Sequence, residues 1–451
     1  MDHSASPAPR GDRPALPARR IARQIVVWAA FFALAAGMVY YYEGILIPLR
    51  QKEFGVGGTA RGNWSDLYPR WLGTRELLLH HRNPYSLQVT QEIQQGFYGR
   101  VIDLRKSTDP KDPQAFAYPV YVIFVLAPLI LFTFDSVRIA FTVILILLTV
   151  GSVVLWIRAL GVELQKRAIV LAIVATLSSY AVMDGLHLQQ MTLLVAGLVA
   201  VSLAALASGR LFWAGVTLAF ATIKPQLVLL IAVFLLIWTL GAWASRKWFA
   251  IGLVATIAVL FAGSELILPG WLRAWRVGIE AYRGYVKPSL LHALFGQRGA
   301  LVAGAIAILF CGAVFWKIRK EGPGSHGFNV ALSLAIVTTV LLLPNAGGGK
   351  YNQVLLVPAV ICACVSGRNK RKGVGISRVT RLLAANLLVW QWIWAVGVCF
   401  AVVVLRHRFG RESNPFVAGP ELLVFFFPLA LSLFVLNEAA RLYLPEHQID
   451  V

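Results

Sequence analysis

The feature that most constrains this chain is a series of unbroken apolar runs, each roughly 20 residues long. They begin at residues 24–49 and recur at 117–134, 138–157, 168–183, 190–207, 211–241, 248–268, 298–317, 326–344, 350–366, 382–404 and 419–437. A backbone in hydrocarbon satisfies its hydrogen bonds in only two ways, as helices or as closed barrels. Barrel strands alternate apolar and polar residues, and these runs do not. The predicted fold is therefore all-α: a polytopic helical integral membrane protein with roughly 11–13 transmembrane helices. Composition agrees, since 58% of residues are hydrophobic and 14% charged, too little polar surface for a soluble protein.

Charge sets the expected topology. The 42 basic residues outnumber the 21 acidic ones, for a net charge of +21. Lys and Arg collect in cytoplasmic loops, and the remainder is available for phosphate groups on lipids or substrates. No aromatic–basic module or helix-turn-helix is present, so nucleic acid is not expected as a partner. Arg10, Arg13, Arg19, Arg20 and Arg23 make residues 1–23 a basic, disordered cytoplasmic tail. Ala33-Leu34-Ala35 resembles a signal-peptidase site, but the apolar run continues to Leu49, which favours an uncleaved anchor.

A transmembrane domain is expected over 24–437, with a second cytoplasmic tail over 438–451. Residues 50–116 form the largest polar segment and fall outside the cytoplasm, as do 269–297, 345–350 and 405–418. Lys166-Arg167, Arg246-Lys247, Lys317 to Lys320 and Arg368 to Lys372 fall inside. Charge parity then requires one run, 117–134 or part of 211–241, to be re-entrant or broken. Pro225 marks a break in the second of these. The cysteines, Cys311, Cys362, Cys364 and Cys399, all lie in apolar runs, so neither a disulfide framework nor a metal site is expected.

The first polar segment carries the densest chemistry. It reads Gly62-Asn63-Trp64-Ser65-Asp66-Leu67-Tyr68-Pro69-Arg70-Trp71 and continues to Asn83-Pro84-Tyr85. Residues 64–82 are predicted as an interfacial amphipathic helix with Leu67, Trp71 and Leu78 on its apolar side, ended by Asn83-Pro84. Asp103 to Asp112 reads as plain loop. The acid after the first span, Asn83-Pro84-Tyr85, Phe116-Ala117-Tyr118-Pro119 and Ile223-Lys224-Pro225 resemble, in order and spacing, glycosyltransferase family 87 of the GT-C class.

That resemblance implies an inverting transfer of a hexose, mannose first, from a polyprenyl-phosphate sugar to a lipid or glycan hydroxyl. The active site would face the extracytoplasmic side of the plasma membrane, with the first-loop acid as base. No cofactor or metal is expected, since the outer loop holds no Asp-x-Asp pair and Lys and Arg can neutralise a monophosphate leaving group. The partners implied are the lipid-linked donor, the acceptor and membrane lipids. The family often carries a His motif near a late span, where this chain reads Leu343-Pro344-Asn345-Ala346-Gly347-Gly348-Gly349-Lys350-Tyr351-Asn352. His187-Leu188-Gln189-Gln190 stands where the family has Gly-Gln.

Such a transfer needs a base, cations for the leaving phosphate and an apolar groove for the lipid. Asp66 is the candidate base; the structural alternatives are a helix cap or an i,i+4 pair with Arg70. Lys224, costly at membrane depth, either binds the donor phosphate or pairs with an acid such as Asp184. Lys350, after three glycines, is a phosphate ligand or part of a plain turn. Arg273 and Arg276 lie in an aromatic–basic loop with Trp271, Trp275, Tyr282, Arg283, Tyr285 and Lys287, suited to phosphate or to lipid headgroups. Tyr85, Tyr118, Asp184, His187 and Gln189 are candidates for holding sugar or acceptor. The competing reading is a transporter or flippase for a lipid-linked or anionic solute, with Lys224, Asp184 and Lys350 as binding charges.

Overall fold

In the computed structural model the apolar runs become helices, and no strand occurs among the described residues. These are 18–56, 65–106, 109–280, 282, 285, 288–344, 349–366, 375–411 and 413–443. Most of the N-terminal tail, Gly62 to Trp64, Arg283, Lys287, residues 345–348, Arg368 to Lys372 and the chain from 444 onward lie outside them.

The first half contains α1 (Ala18–Val39), a π-helical segment (Tyr40–Leu46), α2 (Ile47–Val56), α3 (Tyr68–His80), α4 (Leu87–Tyr98), the short α5 (Ile123–Leu126), α6 (Phe134–Ala159), α7 (Lys166–Leu177), α8 (Tyr180–His187) and α9 (Met191–Ala207). The second contains α10 (Leu211–Ala221), α11 (Pro225–Leu240), α12 (Trp243–Ile267), α13 (Trp271–Glu280), α14 (Leu290–Ile318), α15 (His326–Leu342), a 3₁₀ segment (Lys350–Leu356), α16 (Val357–Ser366), α17 (Gly375–Val403) and α18 (Gly419–Arg441).

The 11–13 expected transmembrane helices divide into two classes, and only one is of spanning length among the described residues. Six helices are long and apolar enough to cross a bilayer: Ala22–Lys52, Phe134–Ala159, Trp243–Ile267, Leu290–Ile318, Arg378–Val403 and Gly419–Arg441. The pair α7 and α8, bent by 55°, adds a seventh if taken as one span. The others, including α9, α10, α11 and α15, are 10–17 residues long. Hydropathy does not separate the two classes, because a helix inside a membrane protein is as greasy as one facing lipid. Burial does. α9 and α15 are enclosed along most of their length, whereas α12 and α14 turn residues such as Val259, Leu266, Leu301 and Leu309 outward.

Small residues let the core helices touch. A Cβ on Gly215 of α10 would strike the Phe249 carbonyl on α12, and one on Gly252 would strike the Phe212 carbonyl on α10. The expected break in the 211–241 run occurs at Lys224, between α10 and α11, with Pro225 opening the second helix. The 117–134 run is broken as well, into 3₁₀ and α turns over 120–129.

α3 forms where the amphipathic pattern placed it, with Leu67 and Trp71 buried and Leu78 packed against the core. It ends earlier than expected. His81 takes a left-handed conformation (φ 52°) and closes it, while Asn83 starts the next turn by accepting from the Tyr85 N–H. The 103–112 stretch is the expected loop, and its described residues are pinned by an ion pair. Arg100 pairs with the buried Asp109 at 2.8 Å, and the Asp103 N–H donates to the same carboxylate at 2.7 Å. The Arg100 hydrogen bond pulls the Asp109 carboxyl down to about 2.

Candidate active site

Asp66 is held by its backbone before its side chain is considered. Its N–H donates to the Leu188 carbonyl at 2.9 Å, tying the start of α3 to the turn between α8 and α9. Its Oδ2 accepts from Gln190 Nε2 in the same turn. The other end of that amide, Oε1, accepts from Lys224 Nζ at 2.9 Å. A carboxylate needs a donor and an ammonium needs an acceptor, so the amide orientation is fixed by the charges at its two ends. Lys224 also donates to Thr192 Oγ1 at 2.7 Å, and Thr192 bonds Asn352 Oδ1 at 3.0 Å. The acid and the buried lysine are thus joined through one side chain, with neither in direct contact with the other.

Both structural alternatives for Asp66 are set aside by this geometry. Leu67 occupies the cap position of α3 and makes no side-chain cap bond. Arg70 reaches the backbone oxygen of Asp66 (Nη1 to O, 2.7 Å), leaving the carboxylate to Gln190. The Arg70 guanidinium lies 4.7 Å from the Tyr118 ring centre, and the Lys224 ammonium lies 5.7 Å from the same ring and 5.2 Å from that of Tyr351. Two cations and one acid surround Tyr118, an excess of positive charge suited to an anion.

The sequence 115–121 is anchored by its backbone. Tyr85 donates to the Tyr118 carbonyl at 2.6 Å and stacks edge-on against Phe116. Trp275 donates to the Ala117 carbonyl at 3.1 Å, and Tyr282 bridges both backbone groups of Ala115. Burial pushes the Tyr282 hydroxyl up from its ordinary value, which keeps it a donor. Tyr121 donates to the Thr222 carbonyl at 2.8 Å, next to the Lys224 break. Tyr85 therefore positions Tyr118, and Tyr118 itself reaches the cations.

The remaining candidates lie elsewhere. Asp184 accepts from Tyr42 (2.7 Å) and pairs with Arg50 (3.6 Å), so it is not the partner of Lys224. His187 faces Glu43 at 3.4 Å. Gln189 takes a left-handed conformation (φ 47°), and its amide folds back onto the Leu186 and His187 carbonyls. That turn presents Gln190, rather than Gln189, to the acid. Lys350 is buried and paired with Glu421 on α18. Arg273 and Arg276 are exposed on α13, and no described hydrogen bond or ion pair joins them to Asp66. Arg70, Gln190, Thr192, Tyr351 and Asn352 are the additions that sequence reading passed over.

An acid and two cations, set among the broken helices of a polytopic membrane protein, make a charged site suited to an anionic group. The chain belongs to glycosyltransferase family 87, whose model matches residues 116–344, just over half of it, and it is thereby a membrane glycosyltransferase. The matched span holds Tyr118, Gln190 and Lys224 and begins after Asp66. No curated protein and no solved structure matches the chain.

Proposed function

We propose that the protein transfers a hexose, mannose first, from a polyprenyl-phosphate sugar to a hydroxyl of a lipid or glycan acceptor. Transfer inverts the anomeric carbon and occurs on the extracytoplasmic side of the plasma membrane. Asp66 is the general base, and Lys224 and Arg70 receive the phosphate. The observation that carries this reading is the Asp66–Gln190–Lys224 chain beside Arg70.

In this reaction the acceptor oxygen attacks the anomeric carbon while its proton passes to the Asp66 carboxylate. The bond between that carbon and the phosphate oxygen breaks, and the phosphate leaves with the electron pair. Its growing charge falls between the Lys224 ammonium and the Arg70 guanidinium. Fixed cations stabilise developing charge without reorganising at the moment of reaction. Gln190 couples the two ends, because one amide dipole serves the base at its N–H and the cation at its carbonyl. Tyr118 and Tyr351 supply aromatic faces for the sugar.

The test is Asp66→Asn in protein reconstituted in nanodiscs, followed by radiolabel transfer from polyprenyl-phosphate mannose. Loss of a general base lowers the rate by about 10²- to 10⁴-fold. Transfer at the wild-type rate would end the assignment. Solute movement into liposomes without bond cleavage would favour the transporter reading instead.

A further inference from the structure

An apolar groove of about 450 Å³ lies between α1, α7, α16, α17 and α18, and the chemistry above makes no use of it. Its volume falls within the roughly 300–1,000 Å³ of small-ligand clefts. Val27, Phe31, Leu171, Val360 and Leu388 are among its walls, and no charged side chain lines it among the described residues. Val27 is 57% exposed, so the groove opens to the outside of the bundle beside α1. In a membrane such an opening faces lipid, and a hydrocarbon chain is what its walls accept.

One end of the groove is basic. Residues four or seven apart share a helix face. Arg23 therefore lies on the face of Val27, Arg167 on that of Leu171 and Arg381 on that of Leu388, one or two turns beyond a wall residue in each case. Arg167 also stands between two wall residues, Leu164 and Ala168. The three helices run in the same direction. Gln24 of α1 accepts from Arg167 at 3.2 Å, and further along α1 the Gly37 carbonyl accepts from Cys399 of α17 at 3.3 Å. Trp392 of α17 donates to the Ser178 carbonyl at 3.1 Å, and eleven residues back along each chain stand Arg381 and Arg167. The three arginines thus share one level, at the foot of the groove.

No ion pair joins any of them to an acid among the described residues, and Arg167 is bonded to the neutral Gln24. Glu163, the acid nearest Arg167 in sequence, is exposed and joins no ion pair among the described residues. Like charges at one level repel, and an anion between them relieves the repulsion. Arginine suits both parts of a lipid: its stem lies along apolar surface, and its planar fork matches phosphate oxygens.

We infer that the groove is a site for an anionic phospholipid, with one acyl chain along the walls and the phosphate among Arg23, Arg167 and Arg381. The walls take a chain whatever its headgroup, and the arginines select a net negative one. A zwitterionic lipid brings an ammonium beside its phosphate, and that ammonium meets three cations. The site stands apart from the acid, because the turn that bonds Asp66 follows α8, at the other end of the α7–α8 pair from Arg167. The inference does not depend on the transfer reading.

The experiment is native mass spectrometry of the full chain in detergent. It is titrated with phosphatidylglycerol, with phosphatidylcholine of the same acyl chains, or with glycerol 3-phosphate, which has the phosphate and no chain. Phosphatidylglycerol is expected to bind about tenfold more tightly than either of the others. Arg23→Gln, Arg167→Gln and Arg381→Gln should each weaken it about fivefold, the attraction of one basic residue for an anionic lipid surface, and leave phosphatidylcholine unchanged. Val360→Trp fills the groove, replaces no arginine, and should weaken phosphatidylglycerol about tenfold. Folding is verified by thermal melting, and Ala172→Phe on α7 takes the place of Val360→Trp if that variant does not fold. Phosphatidylglycerol binding no tighter than phosphatidylcholine would overturn the proposal, as would unchanged affinity in the arginine variants. Unchanged affinity in a folded groove variant would mean a basic surface with no seat for the chain, and would overturn it too. So would glycerol 3-phosphate binding as tightly as the lipid.

Discussion

Gln190→Leu isolates the amide that joins base to cation. The substitution keeps the side chain's bulk and removes two hydrogen bonds, one to the Asp66 carboxylate and one from Lys224. Each involves a charged group, for which a contribution of about 1.5–3 kcal/mol is typical. The two losses differ in consequence. Asp66 is half-buried, so water can replace the lost donor. Lys224 is only 8% exposed and keeps a single hydrogen-bond acceptor, Thr192, at 2.7 Å. The cost therefore falls mainly on the lysine, and about 1.5–3 kcal/mol corresponds to roughly a 10- to 150-fold loss in kcat/KM.

Gln190→Glu completes the test, because it sets a second carboxylate against Asp66. Two acids sharing a site raise one another's pKa, so the acidic limb of the kcat/KM profile should move to higher pH. The assay is single-turnover sugar transfer across a pH series, with melting temperature followed in parallel. A folded Gln190→Leu protein retaining activity within twofold of wild type would refute the reasoning.

Other outcomes follow from the same geometry. Arg70→Met should lower kcat by about 10²- to 10³-fold, as for loss of one charge-stabilising donor, while Arg70→Lys restores part of it; turnover measurements decide. Tyr85→Phe removes the bond to the Tyr118 carbonyl and should cost about 0.5–1.5 kcal/mol, read as a modest fall in melting temperature. Gly185→Ala would drive a methyl group into the tip of the Leu193 side chain, and turning that tip aside should cost about 1 kcal/mol, read as a small fall in melting temperature. The depressed carboxyl of Asp109 stabilises its loop above the ordinary carboxylate range. That contribution is lost as pH falls from about 4 to about 2, so hydrogen exchange over residues 100–112 should rise across this window, and Asp109→Asn should flatten the dependence.

Much of this arrangement was legible in the sequence because it was expensive. Lys224 stood out as an ammonium in an apolar run, and Pro225 beside it announced the break. Asp66 stood out as an acid at the edge of the first span. What stayed hidden depends on pairing between distant segments. Nothing local distinguishes Gln190 from Gln189; the left-handed turn at Gln189 decides which amide meets the acid. Lys350 read as a free phosphate ligand because Glu421, its partner, lies on another helix. Asp184 read as a ligand for sugar or acceptor, or as an alternative partner for Lys224, because Arg50 and Tyr42 approach it only after folding. Periodicity likewise reports greasiness, and an enclosed helix such as α15 is as greasy as a lipid-facing one.

The brevity of α10 and α11 reaches beyond the protein itself. At 1.5 Å per residue they rise about 17 Å and 24 Å, against a hydrocarbon layer of about 30 Å. Each also turns side chains to the outside, Trp213 and Leu229 among them. Lipid touching these faces has to shorten to match them. Where the bilayer thins to meet them, its headgroup layer comes closer to the depth of the Lys224 break.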